Sequence, residues 1–442
     1  MAEPSPAGVS RQPGELARLL QPVDAPGLDT APGEGPPAWL KADGWRVLAR
    51  PRALDGDGEE LARFELEDGS TARAFRDERD GAVRVPFDLD EAYVSLVSER
   101  WLGEAGNTAL SAGQLGLYYQ VKRFFPRSFL LAARRVFMRW SGLPEFPAWP
   151  LEDSVVRLVR FYALCLLAAA GEDELRFRWF WPGAYRAALI LTHDVESAEG
   201  LRLAVEIADL EEARGFRSSF NVVGQDYPID HGIVRELAER GFEIGVHGLH
   251  HDRSLFSSRE EFERQLPGLA EAAEELGAVG FRSPATHRVV DWLPDLPFSY
   301  DCSMFNSDPY EPQPGGCCSL WPFLLGPLVE LPYTLPQDHT LFTLLRKDAQ
   351  AWIAQVDAIE ERFGLIQCLS HPDPGYLGDA DKRDYYVELL DALAERGGLW
   401  RALPRDVADW WRRREASDAD VLLGTMRRDG LDAVLEPPPV SV

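Results

Sequence analysis

The feature that most constrains this chain is a regular alternation of apolar strand patterns with amphipathic helix patterns between residues 185 and 415. ALILTHDV (188–195) is a continuous apolar run that turns polar at its end, and AEGLRLAVEIADLEEARG after it is helical and closes on Gly215. The unit recurs as SSFNVVG with HGIVRELAERG and as EIGVHG with SSREEFERQLPGLAEAAEELG, followed by GFRSP and FSYDCS as strands. VELPYT, a helix near 347–363, LIQCLSHPD, a helix near 379–396, and WRALP with the helix DVADWWRRRE complete the series. Repeated units of this length imply a parallel sheet, so the class is α/β, either closed as a barrel or open and doubly wound. In both, functional side chains gather at the C-terminal ends of the strands.

The flanks read differently. Residues 1–40 are rich in Pro and Gly and are expected to lack order, 41–180 to form an accessory α+β and then helical region, 181–415 the (β/α) module, and 416–442 a C-terminal tail. A net charge of -26 excludes nucleic acid as a general partner, because a phosphate backbone calls for basic faces. Against that acidity, 118–140 carries Lys122, Arg123, Arg127, Arg134, Arg135 and Arg139 among aromatics. One reading makes this a surface for an anionic lipid headgroup or a phosphorylated substrate, hence a peripheral membrane contact; the other packs the aromatics and pairs the arginines with surplus carboxylates. The start of the chain lacks a basic-then-apolar secretory pattern, and the best apolar run, VVRLVRFYALCLLAAAG at 155–171, carries Arg157 and Arg160, so a cytoplasmic protein is expected. Five cysteines without paired-doublet zinc spacing suit a reducing compartment.

The chemistry converges at strand ends: LTHDVE, VHGLHHD, FRSPAT, YDCS and CLSHPD. Three of the eight histidines fall within FEIGVHGLHHD. His250 and His251 are adjacent and diverge, whereas His247 and His251, four apart, make the better ligand pair. A third ligand is available in THDVE, where Asp194 and Glu196 lie two apart and share a face in an extended strand. Two histidines and one carboxylate leave positions open for water and substrate, which is a catalytic design. The second carboxylate then serves as general base, His371 as general acid, Arg282 as the group that keeps the base ionised, and Asp301 as a partner that orients His371.

The order and spacing of these pieces resemble the polysaccharide deacetylase family, carbohydrate esterase family 4, with its NodB-homology domain, over about residues 185–415. Thr192 to Glu196 resembles that family's T-F-D-D-G motif, His247 to His251 its H-[ST]-x-x-H motif, Arg282 to Thr286 its R-x-P-x-[YF] motif, and Cys368 to His371 its L-x-x-H motif. The resemblance implies a distorted (β/α) barrel, one divalent metal, zinc before others, and hydrolysis of an N-acyl group on an amino sugar. By residue it implies Asp194 as base, His247 and His251 as metal ligands, Arg282 as the residue that orients the base, and His371 as acid. Val195 stands where the family has a second aspartate, so Glu196 becomes the metal carboxylate, or the two acids exchange roles. Gly248, Thr286 and Cys368 are further departures.

The expected function is therefore a cytoplasmic, metal-dependent hydrolase that removes an N-acetyl or other N-acyl group from a carbohydrate, including a nucleotide-linked or lipid-phosphate-linked precursor. Hydrolysis of a non-sugar C–N bond is the alternative within enzymes. A catalytically silent carbohydrate-binding scaffold is the alternative outside them.

Overall fold

The structure is a computed structural model that describes residues 14–104, 142–416 and 420–439. The basic aromatic segment 118–140 lies outside the described residues. The chain divides into two compact units, each assembled from separate stretches of sequence.

The first unit comprises the described residues up to Ser95 together with Arg157–Phe180 and Leu423–Pro438. Its larger sheet is antiparallel, in the order β2-β1-β3-β4-β5, from β1 (Ala38–Ala42), β2 (Trp45–Ala49), β3 (Gly58–Leu66), β4 (Thr71–Asp77) and β5 (Val83–Arg84). Phe64 anchors the core beneath it, edge-on to Phe87 at 5.1 Å and to Phe161 at 5.5 Å. Part of the stretch expected to be without order is structured: a helix over Glu15–Leu20 buries Leu16, Leu19 and Leu20, and Asp90 accepts the Leu16 amide at 3.0 Å. Those leucines, at helical spacing, bring the apolar surface that offsets ordering entropy. The strand β6 (Glu174–Arg178) belongs to a second, smaller sheet.

The second unit contains Leu96–Val156 and Trp181–Leu422. Its sheet runs β12-β13-β11-β10-β9-β8-β7-β14, from β7 (Ala187–Val195), β8 (Ser219–Val222), β9 (Glu243–Val246), β10 (Gly280–Phe281), β11 (Tyr300–Asp301), β12 (Phe323–Leu325), β13 (Leu328–Glu330) and β14 (Leu365–Ser370). All of these pairings are parallel except β12 with β13. β15 (Leu399–Arg401) pairs with the start of β7. Beyond β13 the chain closes the ring, because the amides of Thr334 and Leu335 donate to the Gln367 carbonyl of β14 at 3.3 and 3.1 Å. The result is a distorted (β/α) barrel, which settles the choice between closed and open sheets.

β7 is buried along all nine residues, as a strand covered on both faces must be, and that is why it reads as an unbroken apolar run. Helices begin where the sequence supplies caps: Ser197 accepts from the Gly200 amide, Ser258 from the Glu261 amide, and Asp230 from the Gly232 amide. The same unit takes in residues the sequence places in the accessory region. Buried Trp101 packs edge-on to Phe146 at 5.0 Å, and Glu99 forms a buried ion pair with Arg288. Where a tail is expected after 416, β16 (Leu423–Asp429) and β17 (Asp432–Glu436) form a hairpin, and β16 pairs with β6 in the first unit. Among the described residues no helix is long and apolar enough to cross a membrane.

Candidate metal centre and active site

Each strand end at the C-terminal mouth of the barrel delivers one part of the site. β7 carries Asp194 as its penultimate residue, and Glu196 follows directly after the strand ends at Val195. β9 leads into His247, whose amide donates to the Val222 carbonyl at 2.8 Å and so continues the strand pairing by one residue. The chain then turns sharply at Gly248, which has φ 72°. A Cβ there would sit 2.7 Å from the Pro284 ring, so both the left-handed backbone and the close approach require glycine. This accounts for Gly248 standing where the resembling family has a hydroxyl residue, and the turn returns His251 to the side of His247, with ring centroids 5.3 Å apart.

Donor atoms of Glu196, His247 and His251 all lie within 4.8 Å of one another. His251 Nε2 is 3.0 Å from Glu196 Oε1. His247 Nδ1 is 3.0 Å from the Arg282 carbonyl, which can only accept, so Nδ1 carries the proton and Nε2 keeps its lone pair. Burial holds the His247 imidazole down at about 4, so it stays neutral. This donor set fits a divalent ion of borderline character: two imidazole nitrogens, one anionic oxygen, and a fixed tautomer on the deeper ligand. His250, by contrast, turns outward to Asp226, with Nδ1 and Oδ1 2.8 Å apart. Asp226 also accepts the His251 amide at 2.6 Å, which secures the turn.

Asp194 lies beside this trio but outside it. Its Oδ1 accepts from Asn221 Nδ2 at 2.9 Å and from Arg282 Nη1 at 3.3 Å, while Oδ2 lies 3.7 Å from His247 Nε2. Burial pushes the Asp194 carboxyl up, but the charges of Arg282 and His371 and the Asn221 hydrogen bond outweigh it and hold the group below its usual range. Arg282 is fully buried and spans the barrel: Nε donates to the Cys302 carbonyl at 2.9 Å and Nη1 to Thr192 Oγ1 at 2.9 Å. With the Gln367 amide turned so that its oxygen faces the guanidinium, that oxygen accepts from Nη2 at 2.6 Å.

His371 stands on the other side of Glu196, with Nε2 3.6 Å from Glu196 Oε1. Sequence reasoning assigns its orientation to Asp301, and the structure corrects this. Nδ1 is held by Asp338 Oδ1 at 2.8 Å, and the other oxygen of Asp338 accepts the His371 amide at 3.0 Å. Asp301 instead accepts from Ser303 Oγ at 2.6 Å and lies toward Arg282 and Glu330. Burial opposes protonation of His371, yet Asp338, Glu196 and Asp194 together raise it to about 10. Tyr376 stacks on its ring at 4.6 Å. Asn221, Asp338 and Asp373, which accepts the Glu196 amide at 2.9 Å, are the parts of the site that sequence reasoning misses. Asn221 had a signal as the polar residue inside the apolar run SSFNVVG, and Asp373 as the acid that closes CLSHPD; Asp338 had none.

The mouth therefore holds an ionised carboxylate and a protonated imidazole on two sides of a three-donor cluster, with proton affinities pushed in opposite directions. That is the arrangement expected of a general base and a general acid.

No family profile and no curated protein matches the chain. Among solved structures, it is similar to a candidate polysaccharide deacetylase from Mycobacterium smegmatis at 20% identity and TM-score 0.44, over 54% of this chain and 94% of that one. It is also similar to the PuuE allantoinase at 15% identity and TM-score 0.38, over 52% of this chain and 92% of the other. The Bacillus subtilis peptidoglycan deacetylase PdaC matches at 15% identity and TM-score 0.35, over 52% and 95% of the two chains.

Proposed function

We propose that the barrel is a metal-dependent hydrolase that removes an N-acyl group, acetyl first among them, from an amino-sugar-containing substrate. The observation that carries the reading is the donor trio Glu196, His247 and His251 set between Asp194, whose Oδ2 is free of hydrogen-bond donors among the described residues, and His371, whose Nδ1 is already engaged by Asp338. These three residues would hold the ion, which when bound supplies Lewis-acid polarisation of the acyl carbonyl and charge for the tetrahedral oxyanion.

The chain's own groups do the rest. Arg282 and Asn221 occupy Oδ1 of Asp194, which leaves Oδ2 to take the proton of the attacking water. His371 Nε2, protonated across the neutral range, gives its proton to the departing amine nitrogen, a poor leaving group without it. Asp338 keeps the imidazole in the tautomer and orientation this step needs. The amino-sugar assignment rests on the resemblance of the four motifs. The five thiols, all buried and free, accord with a reducing compartment and hence with an intracellular nucleotide-linked or lipid-phosphate-linked sugar.

The test uses the purified full chain, metal-loaded and chelator-treated, against N-acetylated sugar nucleotides, N-acetylated oligosaccharides and cyclic amides. Acetate release from a sugar class, lost on chelation and in Asp194→Asn with the metal retained, is the expected result. Cleavage of cyclic amides alone would move the reading to a non-sugar C–N bond. A protein that binds no stoichiometric metal would be the silent scaffold.

A further inference from the structure

Inside the barrel, two acidic side chains face each other with no donor between them. Asp301 and Glu330 are register partners on the parallel strands β11 and β13, and both are fully buried. Asp301 Oδ1 accepts from Ser303 Oγ at 2.6 Å, and Glu330 Oε1 accepts the Met304 amide at 2.9 Å. Among the described residues, Asp301 Oδ2 and Glu330 Oε2 are each buried without a hydrogen-bond partner. Two orphaned carboxylate oxygens in a dry interior carry a heavy desolvation cost, and two like charges side by side add to it. One proton held between them satisfies both oxygens and halves the charge.

The position of the pair gives that proton a use. Cys302, the residue after Asp301, offers its carbonyl to Arg282 Nε at 2.9 Å, so β11 fixes the stem of the guanidinium that reaches Asp194. We propose that Asp301 and Glu330 share a single proton, and that the singly charged pair so formed is a positioning device that holds Arg282 on Asp194. This rests on the reading above that Asp194 is the base. An Asp301 Oδ2 left without a donor would draw the buried guanidinium away from Asp194, whereas the shared proton satisfies that oxygen and leaves Arg282 in place.

The division of the proton follows from the neighbours. Burial raises both carboxyls, and the charge of Asp301 pushes Glu330 well up, whereas for Asp301 the hydrogen bonds from Glu330 and Ser303 and the Arg282 charge work against burial and favour the ionised form. Arg288 also acts on Glu330, and the thiols of Cys302 and Cys317 face the pair as neutral groups held up by burial. Glu330 is thus the donor and Asp301 the acceptor.

Two variants of the full chain separate this from a merely structural role. Glu330→Gln keeps a neutral donor toward Asp301, whereas Glu330→Met keeps the bulk and loses the donor. Infrared difference spectra at neutral pH should show a protonated carboxylic acid in the wild type that is missing from Glu330→Gln; an unchanged spectrum overturns the shared proton, whatever the substrate is. The Arg282 Nε resonance should stay in place in Glu330→Gln and move in Glu330→Met. On a cleaved substrate, Glu330→Met should lose about tenfold or more in kcat with KM and metal content unchanged, and Glu330→Gln should restore it. Equal behaviour of the two variants in resonance and kcat overturns the positioning role, and the first two readouts stand even if the proposed reaction fails.

Discussion

At the scale of single residues, the site divides into groups that chemistry makes visible in a sequence and groups that only geometry reveals. His247 and His251 are legible because ligands four apart in a short turn are one of few ways to bring two imidazoles together. Asp338 is not, because it caps a short helix over His339–Leu345 and meets His371 across 33 residues of sequence with no spacing rule to connect them. It nonetheless makes two of the contacts that fix His371, one to the ring and one to the amide. Asp338→Asn should therefore lower kcat by about 10- to 100-fold without loss of metal. The pH profile carries the sign. His371 is raised to about 10 partly by the Asp338 charge, so its acid form survives into alkaline solution; removing that charge lowers the value, and the alkaline limb should move to lower pH. Asp301→Asn should leave that limb where it is, and a shift there would restore the sequence-based assignment.

At the scale of elements, long patterns were legible and short ones were not. β7 is nine buried residues and reads as such, while β10 and β11 are two residues each and were visible only through the polar residues that end them. Ring closure rests on two backbone hydrogen bonds from an irregular segment and two more through the Thr334 hydroxyl, which no periodicity encodes. The turn after β9 gives one test at this scale. Gly248→Ala imposes a left-handed conformation and a Cβ 2.7 Å from Pro284, so it should cost about 1–2 kcal/mol in denaturant unfolding and weaken metal binding, because the turn places His251. The opposite end of β9 gives another. Glu243 is buried where Tyr300 Oη donates to it at 2.8 Å and the Arg405 amide at 3.1 Å, and burial raises its carboxyl to about 7. The folded value lies above the unfolded one, so the folded state binds more protons in between, and stability should fall as pH rises from 4.5 to about 7, by a total of about 3 kcal/mol. Glu243→Gln should flatten that slope in unfolding curves taken across the window. A slope that persists in the variant would assign it to another group.

At the scale of the whole molecule, the reading from sequence treats structure as a succession of segments, and the units ignore that succession. The strand and helix alternation begins near 185, yet the barrel's unit also draws on Leu96–Val156. The reason is physical: the earlier stretch satisfies groups that the barrel buries. Arg288 is fully buried and donates through Nε to Glu99 Oε2 at 2.8 Å. Asn306 exchanges two hydrogen bonds of 2.8 Å with the backbone of Glu152, and Trp101 donates to the Gly316 carbonyl at 3.3 Å. A fragment cut at the boundaries the sequence suggests, 181–415, keeps every proposed ligand and catalytic group but leaves the Arg288 charge without its partner. Removing one member of a buried ion pair costs about 3–5 kcal/mol, a large share of what stabilises a domain, and the lost apolar contacts of Trp101 and Phe146 add to it. The fragment should therefore unfold at a markedly lower denaturant concentration than the full chain and bind metal weakly or not at all. Glu99→Ala in the full chain should reproduce part of that loss. Should the fragment instead unfold at the midpoint of the full chain and keep its metal, the 96–156 stretch would be a covering that the barrel does not need.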